Sequence, residues 1–211
     1  MRLTMSNTLL ISYTPRLESN TAKLVQTFMD NCANPEQINH LDLVKTPPPL
    51  LLTDNLNAIL KRNFMGLALN DAESKSAESA DVLTQQLLDA DRIVLAFPMY
   101  NFSVPATVKA WIDAVVQKDK TFTINEDGSY AGLCQGKEAL ILMTTGSDMS
   151  QEPMKSMDFA MPLAKTSIGF MGIESHGIVA YGLNQYMDRV DNIVVAAQQE
   201  ITQFLKENPS W

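Results

Sequence analysis

The chain has 211 residues, 45% of them apolar and 19% charged, enough for a full hydrophobic core in one large domain or two small ones. A net charge of −8 with no lysine or arginine cluster argues against a nucleic-acid footprint, and no stretch approaches a membrane span. Cys32 and Cys134 lie far apart with no CxxC, which excludes a disulfide framework and reads as reduced thiols in a cytoplasmic protein.

Arg2 precedes only a brief apolar run at Leu9 to Ile11, too short for a signal peptide, and Met5 is an alternative start. Thr8 to Ser12 is a short buried strand, and Thr21 to Asn31 an amphipathic helix with Leu24, Val25, Phe28 and Met29 inward. The loop between them carries hydroxyls and one arginine. Facing a helix N-terminus, Ser12, Thr14, Ser19, Thr21 and Arg16 make an anion site, although Ser19 reads equally well as a plain helix cap. Neither GxGxxG nor GxxxxGK[ST] is present, so a phosphate bound here is a monophosphate held by hydroxyls.

Gln37 to Leu43 alternates like an edge strand, and Lys45 to Leu50 is a polyproline-like turn. His40 and His176 each sit in a strand-like segment, so no metal site is expected. Two helices are predicted over residues 54–69 and 77–89, divided by the polar stretch Asn70 to Ser76. This excursion, about residues 44–80, is longer than a minimal βαβ crossover needs; such insertions wall a pocket or build a subunit interface.

Arg92 to Phe97 is a buried strand ended by Pro98, and Pro105 opens a helix that runs to about Gln117. Ser103 is placed to cap that helix, whose inner face carries Val104, Val108, Trp111, Ile112 and Val115. Lys120 to Leu133 holds strand-favouring residues and a tight-turn signal at Glu126 to Gly128. Glu138 to Thr144 is the fourth buried strand and ends in the small, hydrogen-bonding Thr144 to Asp148. A Met-rich helix over 154–170, a fifth strand at Glu174 to Ala180 and a closing helix from Asn184 to Leu205 complete the chain. The alternation of strand and helix predicts one α/β domain over residues 1–211, a doubly wound five-stranded parallel sheet in the order 2-1-3-4-5 with helices on both faces. In that order three distinctive loops converge on one crevice: hydroxyl-rich after strand one, aromatic after strand three, small and polar after strand four. A ligand with a monophosphate end and a flat polar ring fits, and FMN has both.

Met99, Tyr100, Asn101 and Phe102 after Pro98, with Lys109 and Asp113, resemble a motif of the flavodoxin-like FMN-dependent NADH:quinone reductases and azoreductases. Ser19-Asn20, Gly132-Leu133 with Gly136-Lys137, and Gly169 to Ile173 followed by Gly177 to Gly182 extend the likeness over nearly the whole chain. The resemblance implies that Ser12, Ser19 and Asn20 hold the FMN phosphate, with Arg16 and Glu18 in the same loop. It implies that Met99 to Phe102 line the isoalloxazine and that Thr144, Thr145, Gly146 and Ser147 edge its pyrimidine side. Phe122 and Phe170 match aromatics that form the family's substrate pocket at a homodimer interface. No side chain is then the nucleophile, since the flavin takes hydride from NADH or NADPH and passes electrons to a quinone or azo compound by ping-pong kinetics. Two departures stand out: the family's fourth loop usually reads Ser-Arg-Gly-Gly, whereas Thr145 stands here for the arginine and Ser147 for a glycine. If position 145 faces the acceptor, its lost charge disfavours anionic azo dyes relative to neutral quinones. The competing expectations are an electron carrier on the same fold and an FMN-free relative.

Overall fold

The computed structural model describes residues 7–211; Arg2 and Met5, named above, lie outside them. Its strands are β1 (Thr8–Ser12), β2 (Ile38–Asp42), β3 (Arg92–Pro98), β4 (Phe122–Ile124), β5 (Tyr130–Gly132), β6 (Glu138–Thr144) and β7 (Glu174–Ala180). Five of them form one parallel sheet in the order β2-β1-β3-β6-β7, which is the predicted 2-1-3-4-5. The short strands β4 and β5 form a separate antiparallel hairpin. Every residue of β1 is buried, as expected of a strand covered on both faces, whereas edge strand β2 fully buries only Leu41.

The helices are α1 (Asn20–Asn31), α2 (Thr53–Asn63), α3 (Asp71–Asp89), α4 (Ala106–Val115), α5 (Ala160–Phe170) and α6 (Val190–Glu207). Side chains alternate across the strands and so feed two cores. Leu10, Val94, Leu140 and Ile178 pack under α1 and α6 with Leu24 and Phe28. Leu9, Ile11, Ile93, Leu95 and Ile141 pack against the helices of the opposite face, around the fully buried Trp111. Among the described residues no helix is long and apolar enough to cross a membrane.

Five predicted boundaries are corrected. The stretch Asn70 to Ser76 is not a divider but the start of α3, because Asn70 and Glu73 form a reciprocal capping box with N···O distances of 2.8 and 2.9 Å. The helix before it is shorter than predicted, closing at Asn63. Ser103 does not cap α4; the cap position is Pro105, and the backbone of Ser103 pairs instead with Tyr100. The Met-rich segment is split into a single 3-10 turn at 155–157 and α5, because the Asp158 carboxylate accepts from the Ala160 and Met161 N–H groups and starts a new helix there. Likewise α6 begins at Val190 rather than Asn184, since the backbone N–H groups before it are spent on the loop after β6.

Candidate active site at the sheet switch point

The chain reverses its direction of sheet growth between β1 and β3, and the crevice at their carboxyl ends is where open α/β sheets bind ligands. A cavity of about 470 Å³ lies there, lined by the loops after β1, β3 and β6 and by Met149, Leu183 and Asn184. Among the described residues neither a carboxylate nor a lysine lines it. In a chain of net charge −8, Arg16 is the one permanently charged residue on its wall among the described residues.

From the first loop come Arg16, Ser19, Asn20 and Thr21. Ser19 is the α1 cap, its Oγ accepting from the Ala22 N–H at 3.2 Å, which leaves its hydroxyl proton free to donate. Arg16 pairs with no carboxylate among the described residues. Thr21 ties the helix start to the end of β6 through a buried 2.7 Å contact between its Oγ1 and that of Thr144. A helix N-terminus, an unpaired guanidinium and two hydroxyl-bearing side chains thus point the first loop at an anion.

The second wall is Met99 to Phe102. Tyr100 and Ser103 exchange both backbone hydrogen bonds at 3.0 Å, and between them Asn101 and Phe102 hold φ of 46° and 69°. Two successive left-handed residues closed this way make a tight mirror-image turn, usual for Asn but costly for Phe. It is pinned from outside by the Phe159 N–H, which donates to the Phe102 carbonyl at 2.9 Å. The turn leaves Tyr100 and Phe102 each 40% exposed at the crevice mouth. Tyr100 also meets Tyr13 edge-on at 6.1 Å; burial pushes its phenol pKa up, Tyr13 adds to this, and Arg16 opposes it.

The loop after β6 forms the third wall, with Thr144, Thr145, Gly146 and Ser147 all lining the cavity. Its carbonyls are taken by the segment after β7: Thr145 accepts from the Leu183 N–H, Gly146 from those of Asn184 and Gln185, and Ser147 from that of Gly182, at 2.9 to 3.2 Å. The Thr145 side chain is turned into the loop, where its hydroxyl donates to the Ser147 carbonyl and accepts from the Gly182 N–H at 3.4 Å. Only 2% of Thr145 is exposed, so its side chain does not present the open face that an acceptor preference at this position would require.

Several named residues stand apart from this cavity, Thr14 of the first loop among them. Ser12 is buried at the end of β1, its Oγ 2.8 Å from His40 Nε2, and Glu18 is exposed and does not line the cavity. Burial lowers the His40 pKa, Asp42 opposes this, and Lys45 reinforces it. Phe122 and Phe170 meet at 4.8 Å and, with Tyr130 at 6.0 and 5.5 Å, form an aromatic cluster of their own. Gly132 brings them together: a Cβ there would lie 2.2 Å from the Gly172 nitrogen, so only glycine lets the hairpin dock on the end of α5. Lys109 and Asp113 pair with each other on the surface of α4. Met149, Leu183 and Asn184 line the cavity without a sequence signal, and the last two are placed by backbone bonds between distant loops.

These features define a flavodoxin-type α/β protein with an anion-and-ring crevice at the switch point. A sequence family described as flavodoxin-like fold matches residues 6–205. The FMN-dependent NADH:quinone oxidoreductase 2 of Bacillus cereus is 35% identical over 184 residues, 85% of this chain and 88% of that protein. The FMN-dependent NADH:quinone oxidoreductase 1 of Bacillus subtilis is 32% identical over 203 residues, 93% and 96% of the two chains. The crystal structure of azoreductase from Bacillus anthracis str. Sterne superposes with a TM-score of 0.88 at 27% identity, covering 96% of this chain and 100% of the other. The chain therefore belongs to the flavodoxin-like family and, within it, to the FMN-dependent NADH:quinone oxidoreductases.

Proposed function

We propose that this chain is an FMN-dependent oxidoreductase that takes reducing equivalents from NADH or NADPH and delivers them to quinones or azo compounds by a ping-pong route. The observation that carries the reading is the crevice wall, on which the sole permanent charge among the described residues is the Arg16 cation beside a helix N-terminus. The donor set fits a flavin mononucleotide. Arg16, Ser19 and the first N–H groups of α1 would hold the monophosphate, with Asn20 and Thr21 beside them and Ser12 and Glu18 supporting the loop. Met99 to Phe102 would line one side of the ring, their left-handed turn keeping the Asn101 and Phe102 N–H groups free of any acceptor among the described residues. When bound, FMN supplies the two-electron hydride chemistry that no side chain here can perform.

This chain's own residues then bind, orient and exclude water. The Gly146 and Ser147 N–H groups, also without acceptors among the described residues, lie where preorganised donors stabilise developing negative charge. The oxidised nicotinamide leaves before a flat acceptor enters the same slot. Phe122, Phe170 and Tyr130 form a partly exposed aromatic patch, with Tyr130 61% and Phe170 37% exposed, and the reading assigns it to a substrate wall completed by a second copy in a cytoplasmic homodimer. Light scattering that returns a fully active monomer at micromolar concentration contradicts the dimer.

The test is a titration of flavin-stripped protein with FMN and with riboflavin. Wild type is expected to prefer FMN strongly, and the double variant Arg16→Ala, Ser19→Ala to lose about 1.5–3 kcal/mol per charge-assisted bond for FMN alone. Equal affinities for the two flavins, or an unaffected double variant, would place the phosphate elsewhere.

A further inference from the structure

We propose that Thr145 and the segment Gly182 to Gln185 form a clasp that turns two successive backbone N–H groups, those of Gly146 and Ser147, toward the crevice. Thr145 is then a positioning residue for the charge that the bound cofactor takes up on reduction. The inference rests on the FMN reading above.

The argument is one of peptide geometry. In a planar trans peptide the C=O and the following N–H point in opposite directions. The end of β6 obeys this: the Thr144 carbonyl takes the Met99 N–H on the β3 side, and the Thr145 N–H goes to the Ala180 carbonyl on the β7 side. A continuing strand would alternate and offer the crevice one N–H in two. The chain departs from that alternation here. The Thr145 carbonyl faces the Leu183 N–H at 2.9 Å, and the Gly146 carbonyl faces the Asn184 and Gln185 N–H groups at 2.9 and 3.0 Å, so both are on the β7 side. The Gly146 and Ser147 N–H groups are therefore both directed back toward β3 and the crevice, where neither meets an acceptor among the described residues.

Thr145 closes the clasp. Its hydroxyl donates to the Ser147 carbonyl and accepts from the Gly182 N–H, so one buried side chain fixes both ends of the turn. Asn184 completes it by standing over Gly146, where an added Cβ would come within 2.6 Å of its Nδ2. Two N–H groups aimed at one point make an anion-favouring nest. Such a nest favours the reduced, more negative cofactor over the oxidised one and raises the potential of the pair. The threonine in place of the family's arginine thus serves the loop, not the acceptor.

The experiment measures the midpoint potential of bound FMN and the dissociation constant of oxidised FMN in wild type, Thr145→Val and Thr145→Ser. Removing the hydroxyl in Thr145→Val is expected to weaken the reduced form about tenfold more than the oxidised one, a negative shift of about 30 mV for a two-electron couple. Thr145→Ser, which keeps the hydroxyl, is expected to retain the wild-type potential. A merely structural role would weaken both redox forms alike and leave the potential unmoved, and that result overturns the inference. Hydrogen exchange on wild type tests it without any variant. The Leu183, Asn184 and Gln185 amides are expected to be protected with or without FMN, and those of Gly146 and Ser147 only with it. Gly146 and Ser147 amides whose exchange ignores FMN would refute the clasp while the FMN reading stands. A wild type that binds no FMN removes both.

Discussion

Phe102 holds a left-handed backbone that costs an L-residue about 1–2 kcal/mol, yet the residue is 40% exposed and so recovers little by burial. Strain kept at a crevice mouth marks a residue retained for what it touches. Phe102→Ala and Phe102→Gly both remove the ring, but only glycine also relieves the backbone. In chemical denaturation the glycine variant is expected to be about 1 kcal/mol more stable than the alanine variant, and both to bind FMN more weakly than wild type. An alanine variant as stable as the glycine one would contradict the turn geometry. The motif from Met99 to Phe102 was legible in the sequence as a loop between a strand and a helix. Its turn was not, because two left-handed residues are normally announced by Asn-Gly and here read Asn-Phe. Thr145 was legible as a departure, but its role was not: whether a hydroxyl faces a ligand or its own loop depends on Gly182, which is 37 residues away.

At the scale of elements, Asp81 on α3 gathers Arg62 of α2, at 2.6 and 2.8 Å, and Lys120 of the segment leading into β4, at 2.6 Å. Gln117 joins the same cluster, accepting from Arg62 and Asn63 and donating to Thr84. This polar knot fastens the hairpin that carries Phe122 to the long excursion between β2 and β3. Desolvation raises the Asp81 pKa, but the hydrogen bonds from Arg62 and Lys120 together outweigh it and hold the carboxyl below its ordinary value of 3.8. A depressed carboxylate contributes stability that is complete above its unfolded pKa and lost as pH falls through the folded one. Asp81→Asn is therefore expected to cost about 1 kcal/mol in urea unfolding at pH 7, the gap to wild type narrowing below pH 4. A gap that does not change with pH would assign the loss to packing. The sequence indicated that this excursion existed but misjudged the helix boundaries in it. Asn70 to Ser76 is polar because it caps α3 and lines its solvent face, and polarity alone does not separate a helix start from a loop.

For the whole molecule, the sheet order was legible because β1, β3 and β6 are short apolar runs too buried to be anything but central strands, with punctuating Pro98 and Gly182. Three of the cavity's walls followed from that order. The fourth, Leu183 and Asn184, did not, since backbone bonds to Thr145 and Gly146 carry no side-chain signature. The same topology concentrates an anion-seeking wall within an acidic protein, and the account stands on what occupies it. The direct measurement is an anaerobic half-reaction on purified protein loaded with FMN. One equivalent of NADH is expected to bleach the visible flavin absorbance. After the nucleotide is removed by gel filtration, a neutral benzoquinone alone is expected to restore the absorbance in full. A protein that holds no flavin, or a bound flavin that NADH leaves coloured, would contradict the central claim.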